Sequence, residues 1–189
     1  MKRLNNLFSL LFISSLALLV SCGKDEDKLA KQIVVDGEKV SLSNGFITSG
    51  GYSTDENGDP ISFYYVLLTD AGLTIGDCEA EGEGSFIEIE ILSPSTYQLE
   101  SGTYTFIDDE PELKNTVEGN FVLNYNASTQ QADEDFDIKS GTMTISKSGQ
   151  SFKIKFSNLV LEKESDGSEV EAKGSWEGEL VGKVFDCGS

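Results

Sequence analysis

The chain has 189 residues, with 14 Lys and Arg against 33 Asp and Glu and no histidine, for a net charge of −19. A field of that sign repels nucleic acid and anionic lipid headgroups, which excludes binding through a basic groove. The missing histidine removes histidine-dependent triads, histidine-bearing zinc sites and histidine-ligated haem.

The first segment is Met1-Lys2-Arg3 followed by an apolar run from Leu7 to Val20. A positive start and an apolar stretch of this length form a secretory signal, and the run is too short and too interrupted, by Ser9, Ser14 and Ser15, to span a bilayer. It ends in Leu19-Val20-Ser21-Cys22, which resembles the bacterial lipobox. The resemblance implies that residues 1–21 are removed and that Cys22 carries covalent lipid, the one attached group expected, with the membrane as partner through that anchor. Two or more acyl chains hold a protein durably without a spanning helix. The bland alternatives are an ordinary cleavage site near Cys22 and an uncleaved anchor.

Residues 22–30 read as a charged tether, since Gly23-Lys24-Asp25-Glu26-Asp27-Lys28 has no apolar position with which to order itself. The succession Lys24, Asp25, Glu26, Asp27 directly after the cysteine is similar to the export signal of Bacteroidota lipoproteins. The resemblance implies an outer-membrane location with exposure at the cell surface; the alternative is a solvated tether alone.

Without residues 1–21 the chain has 168 residues, enough for one ordinary domain, assigned to residues 31–189. Its 12 Lys and Arg against 33 Asp and Glu give a charge of −21. Short runs of β type succeed one another with no helical period: 32–35, 40–42, 46–52, 61–69, 86–92, 102–107 and 120–126. Phe63 to Leu68 is apolar on both faces, which predicts a strand with neighbours on both sides. Thr142 to Ser146 and Ser151 to Phe156 alternate in polarity around Ser148-Gly149-Gln150, which predicts a hairpin. Asn158 to Lys163 then turns at Ser165-Asp166-Gly167-Ser168 and returns through Trp176, which is expected to pack inward. About ten strands in one domain predict an all-β fold, either a single antiparallel β-sandwich or a lipocalin-like barrel.

Two further cysteines, Cys78 and Cys187, lie in a Gly- and acid-rich loop and in the C-terminal tail. In an exported protein they form either a disulfide or two free thiols. A bridge closing so long a loop would contribute about 4 to 5 kcal/mol on the chain-entropy account. Two sulfurs without histidine predict no metal site.

Other candidate constellations are weaker. Asp55-Glu56-Asn57-Gly58-Asp59 offers alternate oxygen ligands, but an EF-hand loop wants Gly and Glu where Pro60 and Val66 stand, and Asn57-Gly58 serves equally as a hairpin turn. Asp108-Asp109-Glu110 and Asp133-Glu134-Asp135 with Asp137 read as solvated loops, or as a cation site or a glycosidase carboxylate pair. Tyr52, Tyr64, Tyr97, Tyr104 and Trp176 are core residues by default, or the lining of a glycan or lipid site. Asn126-Ala127-Ser128 matches a glycosylation sequon that carries no weight in a bacterial export context. No nucleophile elbow, phosphate loop or dinucleotide fingerprint is present.

Ser101-Gly102-Thr103-Tyr104-Thr105-Phe106, Ser140-Gly141-Thr142-Met143-Thr144-Ile145 and Gly174-Ser175-Trp176-Glu177-Gly178 look like segments of uncharacterised β-rich Bacteroidota lipoproteins, a resemblance that carries no catalytic motif. The expected function is a non-enzymatic binding or interaction module with a glycan, lipid or protein ligand. A carboxylate-dependent hydrolase acting on glycans and a structural component of an outer-membrane assembly are the competing classes.

Overall fold

The computed structural model describes residues 30–76, 79–95, 98–108 and 113–182. Cys22, Lys24, Asp25, Glu26, Asp27, Cys78 and Cys187 lie outside the described residues, as do Tyr97, Asp109 and Glu110. The described chain is all-β, with twelve strands and no helix: β1 (Gln32–Val35), β2 (Glu38–Ser41), β3 (Asn44–Thr54), β4 (Pro60–Thr69), β5 (Leu73–Ile75), β6 (Ala80–Ser93), β7 (Gly102–Phe106), β8 (Thr116–Asn126), β9 (Glu134–Ser148), β10 (Ser151–Lys163), β11 (Glu169–Glu179) and β12 (Val181–Gly182).

They form one sheet in the order β12-β3-β4-β6-β8-β7-β9-β10-β11-β1-β2, with β5 as a side arm on β6. β12 follows β11 almost directly in the chain yet pairs with β3, far along the sheet from β11. The sheet is therefore curled into a half-barrel rather than divided into two stacked layers. The expectation of a purely antiparallel sheet is corrected by two short parallel pairings, β7 with β8 and β12 with β3. β4 lies between β3 and β6, so its two apolar faces do sit beside neighbours on each side.

Period-two alternation puts one set of side chains on the concave side. Ile87, Ile89 and Ile91 of β6 meet Val66 and Leu68 of β4, Phe121 and Val117 of β8, Phe136 and Ile138 of β9, and Trp176 of β11 in one hydrophobic cluster. Trp176 is 1% exposed, as expected of an inward residue, and Tyr64 and Tyr104 are core residues as well. Glycines make room for the indole: a Cβ on Gly45 would stand 2.5 Å from Trp176 Cζ2, and one on Gly178 would stand 2.8 Å from it.

The runs around 142–146 and 151–163 belong to two long strands, β9 and β10, joined at Gly149-Gln150. β10 is continuous across Ser157-Asn158 because the extra residue is absorbed in a bulge between Phe156 and Leu159, where Asn158 adopts a φ of 53°. Opposite it, Gly141 has a φ of 128°, and a Cβ there would stand 2.8 Å from the Asn158 carbonyl oxygen. Such a backbone is readily reached by glycine and strained for other residues.

Candidate functional site

β8 and β9 pair with each other only from Asn120–Leu123 to Asp137–Glu134. Beyond that stretch they part, and β7 fills the gap, pairing parallel with Thr116–Val117 and antiparallel with Gly141–Ile145. Ile107 N still donates to the Val117 carbonyl at 3.0 Å after β7 ends. No ladder pairing then joins Glu118–Gly119 to Ile138–Ser140, so the sheet forks and leaves a cleft between its branches.

A groove of about 420 Å³ opens there on the outer face, spanning β4, β6, β8 and β9. Register builds its floor. Leu67, Glu88, Asn120, Asp137 and Glu162 stand in one row across β4, β6, β8, β9 and β10, and Tyr65, Glu90 and Glu118 form the next row. Gly119 allows β8 to lie close to β6, because a Cβ there would stand 2.4 Å from the Glu88 carbonyl oxygen. Five carboxylates (Glu88, Glu90, Asp108, Glu118 and Asp137) and one ammonium, that of Lys139, line the space.

Lys139 is ion-paired with Asp108 and lies 3.8 Å from Glu162 Oε1 and 3.9 Å from Asp137 Oδ2. The hydrogen bond to Asp108 and the surrounding carboxylates hold its ammonium above the usual lysine range. Glu88, although its side chain reaches solvent, is desolvated by the walls of the groove, which pushes its carboxyl above the usual glutamate range. Burial and the neighbouring Glu90 likewise raise the Tyr65 hydroxyl. Glu90 and Glu118 face each other directly across β6 and β8. Like charges in that position destabilise a sheet, and such breaches of local consistency gather at functional sites. The groove repels anions and offers acceptors to a cation or to a ligand rich in hydroxyl and amine donors.

Comparison of the chain with protein-family models, with curated proteins and with solved structures found no match.

The other constellations fare differently. Asp55 is buried at 6% exposure and its Oδ1 accepts from the amides of Asn57 at 3.0 Å and Asp59 at 2.8 Å, closing the β3–β4 turn, while Lys114 ion-pairs with Asp59. The 55–59 loop thus takes its hairpin role. The Asp133–Asp137 segment is mostly strand, a correction to its reading as a solvated loop: β9 starts at Glu134, and Phe136 and Ile138 are buried between the acids. Asn126 Oδ1 accepts from Ser128 and Thr129 amides in a tight turn. Of the aromatic candidates only Tyr52 is exposed among those described, at 80%, and it lies on β3 away from the groove. Among the described residues no group of three or more His, Cys, Asp or Glu is placed to hold a metal ion.

Sequence reasoning singled out Asp108 and Asp137 but missed Tyr65, Glu88, Glu90, Glu118 and Lys139. A signal existed in Ile87-Glu88-Ile89-Glu90-Ile91, whose strict alternation puts two carboxylates on one face beside a buried isoleucine row.

Proposed function

We propose that this chain is an exported lipoprotein, lipidated at Cys22 and displayed on the outer face of the outer membrane, whose β-domain binds a glycan bearing amino groups in the forked groove. The position of Leu19-Val20-Ser21-Cys22 directly after an apolar run supports the anchor, and Lys24, Asp25, Glu26 and Asp27 support surface display. The observation that carries the ligand class is the excess of five groove carboxylates over one lysine, with Tyr65 lining the groove beside Glu90. Carboxylates accept from hydroxyl and ammonium donors, and an aromatic ring packs against a sugar face or a cation.

Calorimetric titration with chitosan oligosaccharides and with their fully N-acetylated counterparts tests this. Binding of the amine form that weakens with salt, and that is lost in the Glu90→Gln/Glu118→Gln double variant, is the expected outcome. Equal or absent binding of both forms sinks the ligand class.

A hydrolytic reading has one observation in its favour: Glu88, whose carboxyl is raised by desolvation, lies diagonally from Glu118 across β6 and β8. Glycoside hydrolysis uses two carboxyl groups that flank the scissile bond. Release of reducing ends during the same titration, abolished by Glu88→Gln, would favour it over simple binding.

A further inference from the structure

The pair Asn-Gly occurs twice in the chain, at Asn44-Gly45 and at Asn57-Gly58. In such a pair the glycine amide nitrogen can attack the asparagine side-chain carbonyl, because no glycine side chain stands in the way. The reaction proceeds only where the backbone is free to turn that nitrogen onto the carbon, and the fold treats the two pairs in opposite ways. Asn44 opens β3, and its Nδ2 donates to the Asp70 carbonyl at 3.1 Å and to Thr69 Oγ1 at 3.3 Å. Gly45 is buried opposite Leu68 in the ladder with β4 and is walled in by Trp176 and Leu180. Neither reacting group can move without opening the sheet.

Asn57 and Gly58 are exposed at the tip of the β3–β4 turn, beyond the last ladder pair, Thr54 with Pro60. The Asn57 side chain has no hydrogen-bond partner among the described residues. Nothing lies within 4 Å of where a Gly58 Cβ would stand. The Gly58 N–H donates to the Asp55 carbonyl at 2.9 Å, and that bond must be released first. A loop tip held by a few local bonds opens at far less cost than a strand inside a sheet.

We infer that Asn57 is a site of spontaneous modification, deamidating in the folded chain to aspartate and isoaspartate while Asn44 is spared. Gly58 N forms a bond to Asn57 Cγ, the Cγ–Nδ2 bond breaks, and Nδ2 leaves as ammonia with the proton that Gly58 N gives up. Water then adds to one carbonyl of the resulting succinimide and cleaves its bond to the Gly58 nitrogen. Cleavage at the side-chain carbonyl gives aspartate, cleavage at the backbone carbonyl gives isoaspartate, and no electrons are transferred in either step. Both products add a carboxylate to a turn that already holds Asp55, Glu56 and Asp59, with Lys114 ion-paired to Asp59. Isoaspartate also lengthens the main chain by a methylene, which displaces Gly58 N from the Asp55 carbonyl and Asp59 N from Asp55 Oδ1. The turn that joins β3 to β4 thus loosens as the molecule ages.

The test is peptide mapping of the intact chain stored at mildly alkaline pH, with fragmentation that separates aspartate from isoaspartate, beside a sample kept in urea. In the folded chain Asn57 should convert at least about tenfold faster than Asn44, whose reaction waits on opening of the sheet. In urea, where no fold distinguishes the two pairs, they should convert at similar rates. Amides of Gly58 and Asp59 should exchange faster with solvent in the fraction that carries isoaspartate, and unchanged exchange there overturns the loosening. Equal rates at Asn57 and Asn44 in the folded chain overturn the inference. The same excess of Asn57 over Asn44 in urea overturns it as well, because the preference then belongs to the flanking residues rather than to the fold.

Discussion

The contact between Gly45 and Trp176 gives the sharpest test of how this core is built. A methyl group on residue 45 would meet Trp176 Cζ2 at 2.5 Å, Cη2 at 2.7 Å and Leu180 Cδ2 at 2.9 Å. Carbon atoms prefer about 3.5 to 4.0 Å, so the overlap is about 1 Å against a ring that is itself buried on all sides. Gly45→Ala should therefore cost about 1 to 3 kcal/mol, the range for overpacking a filled core. Trp176→Phe removes the ring atoms that collide, and with them an indole N–H that has no hydrogen-bond partner among the described residues. Its loss of packing is thus partly offset by the relief of an unsatisfied donor. In the double variant the new methyl refills space the smaller ring vacates, and its cost should fall short of the sum of the single variants by at least about 1 kcal/mol. Urea unfolding followed by far-ultraviolet circular dichroism is the assay, since the chain has a single tryptophan and its fluorescence vanishes in the variant. Additive costs, to within about 0.5 kcal/mol, would show that Gly45 and Trp176 do not constrain each other.

Gly141→Ala should destabilise by about 2 kcal/mol or more, because a φ of 128° and the Asn158 carbonyl both oppose a Cβ, whereas Asn158→Gly should stay within about 1 kcal/mol of wild type; equal effects in urea titration would argue against the bulge. Since the Glu88 carboxyl is held high, the folded chain keeps a proton there that the unfolded chain has already released, and stability falls as pH rises from the ordinary glutamate value to the raised one. Glu88→Gln should flatten that decline in a series of denaturation midpoints against pH, and an unchanged slope would refute the assignment. Cys22→Ala should abolish acylation and move the protein from membranes to the soluble fraction, so retention on membranes counts against the anchor. Alanine at Lys24, Asp25 and Glu26 should leave acylation intact and reduce cleavage by protease applied to whole cells; unaltered cleavage removes the export-signal reading.

Strand positions were legible wherever alternation was strict. Phe152, Ile154 and Phe156 against Lys153 and Lys155 announce β10, and the turns at Asn57-Gly58 and Asp166-Gly167 fall where the residues require a positive φ. The continuity of β10 was hidden because a bulge shifts the period by one at Asn158, so one strand reads as two. The start of β9 was hidden by its acids: Glu134, Asp135 and Asp137 look like loop until Phe136 and Ile138 are seen to be buried between them. The groove depends on which strands are neighbours, and that follows from long-range pairing such as Glu90 with Glu118 rather than from any local pattern. The fork at β7 is least legible of all, since Gly102–Phe106 looks like any other strand while its place between β8 and β9 is set by the whole sheet.

The pairing of β1 with β11 has a consequence for how the molecule comes into being. Gln32–Val35 finds its ladder partners at Ala172–Ser175, close to the other end of the chain. β1 pairs locally with β2 but gains its other neighbour only from β11, and contacts of such sequence separation form slowly because a long loop must close before they contribute. If the chain is exported as proposed above, threading through a membrane from its N-terminus would keep β1 without its β11 partner until nearly all of the described strands had followed. On that proposal, late closure would keep the polypeptide open enough to translocate, and the completed sheet would then hold β1 against β11.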